Sequence, residues 1–233
     1  MTLPPGQGHP PAGPSVPRAA SASKESGREG AESGQESYQL AFPMLLVYRY
    51  LFPAMWLSWA LYWWAMSRDV KPTVRRESPG SRLLHIVPLA LAIGLLWRPN
   101  APIPLLDARI LPRAAWSFWT GAAVTLAGLL FSVAARAYLG RNWSGTVTLK
   151  QDHELVTGGP YRFVRHPIYT GLLLAFLGSG FARGDLGGVA AIALVLWALW
   201  RKLRMEERWM REQFGEAYVA YSRRVAALVP FLL

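Results

Sequence analysis

Three long apolar runs decide what this chain can fold into: Phe42 to Met66, Ala114 to Leu139 and Leu186 to Trp200. A helix of about 20 apolar residues crosses the hydrocarbon layer of a bilayer. No water is available there to satisfy an open backbone, so runs of this kind must be helical. Two shorter apolar segments, 83–97 and 168–182, bring the expected number of spans to about five. The short ones are tilted, extended by their flanks, or incompletely crossing. Pro53 is a kink candidate in the first span, Arg49 is an awkward charge there, and the second contains His85 and Pro88. The predicted fold class is an all-α integral membrane protein of about five transmembrane helices.

Charge orients these spans. The formal net charge is +11, and the cations gather at the ends of the apolar runs, which argues against nucleic-acid binding and for the positive-inside pattern. Loop 67–82, loop 140–167 and the segment after 200 carry most of the Lys and Arg. That asymmetry places the N-terminus outside and the C-terminus in the cytoplasm, so 140–167 and 201–224 share the cytoplasmic face. The chain has no cysteine, which excludes disulfides and thiol catalysis.

The expected organisation has three parts. Residues 1–38, rich in Pro, Gly, Ser, Ala and Glu, bury too little apolar surface to offset their ordering entropy and read as a disordered tail. They lack the order of a signal peptide. Residues 39–139 hold three spans, and 140–233 hold a C-terminal core with a helical hairpin around Arg183, Gly184 and Asp185 and C-terminal amphipathic helices.

Two constellations could carry chemistry. The first is GGPYRFVRHPIYTG, from Gly158 to Gly171, at the mouth of the fourth apolar segment. Gly158 and Gly159 permit close backbone approach or positive φ. Pro167 suits the first turn of a helix, whose N-terminus favours an anion. Taken singly, Arg162 and Arg165 read as membrane-edge anchors, Tyr161 and Tyr169 as an interfacial aromatic belt, and His166 as a capping residue. Together in one short segment they point to a binding site. The second constellation runs through Arg201, Lys202, Arg204, Glu206, Glu207, Arg208 and Arg211. Lys202 with Glu206, and Glu207 with Arg211, have the spacing of a surface ion-pair ladder. The alternative is a carboxylate reaching back to the loop to receive a cationic amine. The stretch from Phe214 to Val225 reads as an amphipathic helix on the interface, and the closing segment is expected to tuck back against the bilayer.

LVTGGPYRFVRHPIYTG followed by EERWMREQFGEAYVAY resembles the C-terminal half of the isoprenylcysteine carboxyl methyltransferase family, over about residues 138–231. The resemblance implies an integral membrane enzyme using S-adenosylmethionine in a cytoplasmic pocket, with 140–233 as its cofactor-binding methyltransferase core. The loop before helix 4 and the extension after helix 5 would build it. It implies cofactor contacts at His153, Glu154, Leu155, Val156, Tyr161, His166, Pro167, Ile168, Tyr169 and Glu206. A family arginine implied to touch the substrate falls on Lys202, and lysine does not reproduce a bidentate guanidinium–carboxylate clamp. Lys202, Arg165 and Glu206 are the expected catalytic residues, and membrane lipids and a lipophilic acceptor entering from the bilayer are the expected partners.

Methyl transfer from a sulfonium is an in-line displacement, for which alignment supplies much of the acceleration. A carboxylate acceptor, the preferred reading, is already ionised; an amine or phenol needs a base, with His153, His166 and Glu206 as candidates. The competing readings are a phospholipid or amine N-methyltransferase, a nicotinamide-dependent sterol-type reductase, and a non-catalytic lipid-binding module. No G-x-G-x-x-G follows a predicted strand. No metal site is expected, because His153, His166 and Glu206 match no compact ligand spacing.

Overall fold

The computed structural model describes residues 46–47, 49–68, 73–98, 103–143, 148–150 and 155–230. The tail 1–38 and the expected cofactor contacts His153 and Glu154 lie outside the described residues.

Five long helices make up the described chain: α1 (49–66), α2 (Pro79–Trp97), α3 (Ala115–Leu139), α4 (Pro167–Arg183) and α5 (Leu186–Phe214). A seven-residue helix, α6 (Glu216–Ser222), follows. Of these, α2, α3 and α5 are long and apolar enough to cross a membrane, by length and composition. The fourth apolar segment forms a helix of 17 residues, and α1 continues through Pro53 without a break. One short antiparallel pair interrupts the helical pattern: β1 (Thr73–Arg76) with β2 (Thr148–Lys150), in register Thr73 to Lys150 and Arg76 to Thr148 with an irregularity between Thr73 and Arg75.

Local chemistry sets the helix ends. Ser78 caps α2, its side chain accepting from the Ser81 amide at 3.3 Å, and Pro79 occupies the first turn. Gly184 ends α4 with φ +65°, a conformation in which a Cβ is strained. Asp185 then caps α5, accepting from the Gly188 amide at 2.8 Å. Only Gly184 and Asp185 separate the two helices, so they return as a hairpin. Arg183 staples this end of the bundle: it pairs with Asp185 at 2.8 Å and donates to the carbonyls of Leu96 and Arg98 at 2.9 and 3.1 Å.

The closest helix packing is α3 against α4, and small residues make it. A Cβ placed on Gly128 would lie 2.5 Å from the Gly171 carbonyl oxygen and from the Ala175 nitrogen, and one on Gly178 would lie 2.5 Å from the Thr125 nitrogen. Such residues let backbones approach where the bilayer gives no hydrophobic drive to associate. Thr125 Oγ1 completes the seam with the Ala175 carbonyl at 3.2 Å. Helix α1 docks through its indoles, with Trp56 Nε1 donating to Ser179 Oγ at 3.1 Å and Trp59 Nε1 donating to Ser132 Oγ at 2.8 Å. The core gathers Trp56, Ala92, Leu129, Phe176, Val195 and Leu203. Leu57, Trp64, Leu83, Leu91, Leu130 and Trp197 stay exposed, the outward apolar surface of a protein solvated by lipid. The protein is an all-α integral membrane protein.

Candidate active site

The loop into α4 and the polar end of α5 meet at one end of the bundle. Gly159 opens a short turn, Gly159–Arg162, with φ +56°. A Cβ there would lie 2.5 Å from Cε2 of Tyr138, and Gly158 is pressed against the same ring. The positive φ is what calls for glycine at 159. Tyr161 follows, buried, its ring centroid 6.4 Å from that of Tyr138 and its carbonyl accepting from the Tyr221 hydroxyl at 2.5 Å. Burial and the Glu206 charge raise the Tyr161 pKa, so the phenol keeps its proton. Burial pushes Tyr221 up to about 12.

The chain then pairs with its own C-terminal segment. The amides of Arg165 and His166 donate to the carbonyls of Ala226 and Ala227 at 2.8 and 3.0 Å, and Thr170 Oγ1 donates to the Leu228 carbonyl at 2.7 Å. Arg165 is fully engaged in this join. Its Nη2 lies 2.6 Å and its Nε 2.8 Å from Glu207 Oε1, and its Nη1 donates to the carbonyls of Ser222 (3.0 Å) and Val225. The two side chains retain only 10% and 9% of their exposure, so this is a buried ion pair, whose value lies in both partners being present.

His166 and Tyr169 stack with ring centroids 5.5 Å apart and planes 2° from parallel. Tyr169 donates to Glu206 Oε1 at 2.5 Å. His166 Nδ1 lies 3.6 Å from Glu206 Oε2 and its Nε2 lies 3.4 Å from Glu207 Oε1. The Nε2 contact lacks hydrogen-bond geometry and is electrostatic. Burial alone would lower the imidazole pKa, but the two carboxylates outweigh it and hold it above the ordinary 6.5. Lys202 Nζ lies over the Tyr169 ring at 5.4 Å from its centroid.

The structure thus brings Tyr161, Arg165, His166, Tyr169, Lys202 and Glu206 to one end of the bundle. Pro167 and Ile168 are buried at the start of α4, and Leu155 and Val156 lie half-buried ahead of the glycine turn. Glu207 differs from the surface-ladder expectation. Its contact to Arg211 exists at 3.4 Å, but it is buried and bound principally to Arg165. The signal for this lies in the helix period: Leu199, Leu203 and Glu207 share one buried face of α5. Reasoning from motifs also passes over Glu77 and His85, both buried; His85 lies on the same face of α2 as buried Ala92 and Leu96.

This arrangement presents a carboxylate with its two oxygens separately held, aromatic faces and a cation at a helix mouth. It suits a ligand bearing both a positive centre and a planar ring.

Comparison with known proteins places this end of the chain. A family model described as phospholipid methyltransferase matches residues 116–217. The Protein-S-isoprenylcysteine O-methyltransferase B of Arabidopsis thaliana is 29% identical over 120 residues, which cover 50% of this chain and 61% of that protein. The Protein-S-isoprenylcysteine O-methyltransferase of Schizosaccharomyces pombe is 33% identical over 101 residues, 42% of this chain and 43% of that protein. The nickel-cobalt-cadmium resistance protein NccN of Alcaligenes xylosoxydans xylosoxydans is 28% identical over 170 residues, 72% of this chain and 76% of its own. The chain thus spans about half the length of the two prenylcysteine methyltransferases. On these matches the C-terminal half of the chain is similar to that of the protein-S-isoprenylcysteine O-methyltransferases.

Proposed function

We propose that the protein is a membrane-embedded methyltransferase that uses S-adenosylmethionine, with the methyl group passing to a lipophilic or amphiphilic acceptor. A carboxyl group is the preferred acceptor, by analogy with the names of the prenylcysteine relatives. The observation that carries this reading is the Glu206 carboxylate, held by Tyr169 at 2.5 Å and flanked by His166, at the mouth of α4.

The residues present fit the cofactor. Its amino group suits Glu206, its sulfonium suits the faces of Tyr161 and Tyr169, and its adenine suits the half-buried Leu155 and Val156. His153 and Glu154 would complete the site. When bound, the cofactor supplies an electrophilic methyl. The chain's own part is to position and to exclude water. Glu206, fixed through Tyr169 and His166, sets the height of the ligand above α4, while Arg165 and Glu207 lock the loop against the C-terminal segment. Lys202, one turn before Glu206, faces the acceptor and holds its negative charge as a point cation.

The N-terminus lies outside and the site faces the cytoplasm. Residues 39–139 anchor the chain in the bilayer, and 140–233 form the methyltransferase core. The acceptor arrives laterally from the bilayer. The phospholipid methyltransferase match favours a second reading, methylation of an amine. Incubating the full chain in nanodiscs with methyl-labelled cofactor and either N-acetyl-S-farnesylcysteine or phosphatidylethanolamine decides between them. Label in the first probe supports the carboxyl reading and label in the second the amine. Absence of label from both, and from a total lipid extract, would contradict methyl transfer.

A further inference from the structure

One exposed face of α5 changes chemistry along its length. Trp197, Trp200, Arg204, Arg208 and Arg211 are all exposed, and their spacings of three and four residues put them on one side of the helix. Trp197 and Trp200 close the apolar run, and the arginines begin one turn later. Arg204 reaches back over the Trp200 ring, its Cζ 5.7 Å from the centroid. Exposed tryptophans at the end of a span mark the lipid–water boundary. A rise of 1.5 Å per residue then sets Arg204 about 6 Å and Arg208 about 12 Å beyond Trp200 along the axis. The headgroup layer is roughly 5–8 Å thick on each side of the hydrocarbon, and long arginine stems fold back into it.

The same arginines enclose a space. Arg204, Glu207, Arg208, Arg211 and Glu212 line a cavity of about 430 Å³, in the size range of small-ligand sites. Tyr161, His166, Tyr169 and Glu206 are not among its walls. Glu207 is neutralised by Arg165 at 2.6 Å and keeps Arg211 in place at 3.4 Å. Three guanidiniums therefore face one remaining carboxylate, Glu212, and the excess is positive. The planar fork of a guanidinium matches two oxygens of a phosphate at once.

We propose that this cavity binds the phosphodiester headgroup of an anionic glycerophospholipid whose acyl chains lie along Trp200 and Trp197. The continuity of the arginine face with the tryptophan face selects a lipid over a soluble anion. An acidic protein segment would need an arginine face standing clear of the bilayer, whereas Arg204 lies against Trp200. A phosphatidylcholine headgroup also carries phosphate, but its quaternary ammonium is repelled by the surplus guanidiniums. The lipid site is separate from the proposed cofactor pocket and holds whether or not the chain transfers methyl groups.

Native mass spectrometry of the full chain, released from micelles doped with phosphatidylglycerol or with phosphatidylcholine, reads bound lipid directly. The wild type is expected to retain phosphatidylglycerol in preference. The double variant Arg204→Gln/Arg208→Gln is expected to bind it about 30-fold more weakly, the effect of two surface cations. Arg223→Gln/Arg224→Gln removes the same charge from another exposed pair and is expected to leave that affinity unchanged. In nanodiscs, phosphatidylglycerol brominated on its acyl chains is expected to quench Trp200 more than brominated phosphatidylcholine does, read as the difference from Trp200→Phe. Equal retention of the two lipids by the wild type would overturn the proposal. Equal loss in the two double variants would do the same, since diffuse charge alone would then be acting. Displacement of the lipid at matched ionic strength by inorganic phosphate, or by polyglutamate, would give the cavity to a soluble anion or an acidic protein segment and overturn the lipid assignment.

Discussion

Glu207 sits one residue from Glu206 and has a different task. Its carboxylate meets Arg165 at 2.6 Å with both side chains nearly buried, so removing it strands a guanidinium in the protein. Glu207→Ala is expected to destabilise the chain by about 3 kcal/mol, read as a lower thermal midpoint in detergent. Glu206→Gln, whose partners are Tyr169 and His166, is expected to weaken S-adenosylhomocysteine binding about tenfold with a much smaller change in midpoint. His166 gives the stability its pH dependence. The folded chain holds the imidazole pKa above 6.5, so the charged form is favoured in the folded state. That contribution is complete below the ordinary value and is lost as pH rises through the higher folded value. Thermal midpoints should therefore fall as pH is raised above 6.5, and His166→Gln should remove that slope. Motif reasoning reaches Tyr161, His166, Tyr169 and Glu206 because such side chains are conspicuous at a helix mouth. Glu207 reads as surface because charge spacing along a helix is the same whether or not a guanidinium waits on another element.

At the scale of elements, the site depends on where α4 begins, and α4 is set by α3. The two backbones touch through Gly128, Gly171 and Gly178. Gly171→Val places a branched side chain where even a Cβ would lie 2.6 Å from the Gly128 carbonyl oxygen. It is expected to cost roughly 1–3 kcal/mol and to weaken S-adenosylhomocysteine binding with it, since α4 carries Tyr169. Gly80→Ala meets nothing within 4 Å and serves as the control, with an unchanged midpoint and affinity. The helices are legible as apolar runs, because a bilayer leaves the backbone no alternative. The α3–α4 seam is not, because a glycine in an apolar run has the same composition whether it faces lipid or another helix. The β1–β2 pair and the parallel pairing of the 226–228 segment with the loop, through the Val164–Ala226 bridge, are long-range pairings without a local signal.

For the whole molecule, the loop into α4, the end of α5, the C-terminal segment and the start of α2 converge at one end of the bundle, while Arg98, Asp107, Arg183 and Asp185 pair at the end where α4 turns into α5. That convergence brings together two motifs more than 30 residues apart, and Arg201 ties the start of α2 to the same end through Ser81. A methyltransferase of this kind holds S-adenosylmethionine at this end of the bundle. Calorimetric titration of the full chain in nanodiscs with S-adenosylhomocysteine and, separately, with NADPH tests it most directly. Saturable binding of the first alone is expected, weakened in Glu206→Ala at a held thermal midpoint and weakened also in Tyr161→Ala, whose buried ring lowers the midpoint when removed. Binding of NADPH alone, or equal S-adenosylhomocysteine affinity in the wild type and both variants, would contradict it.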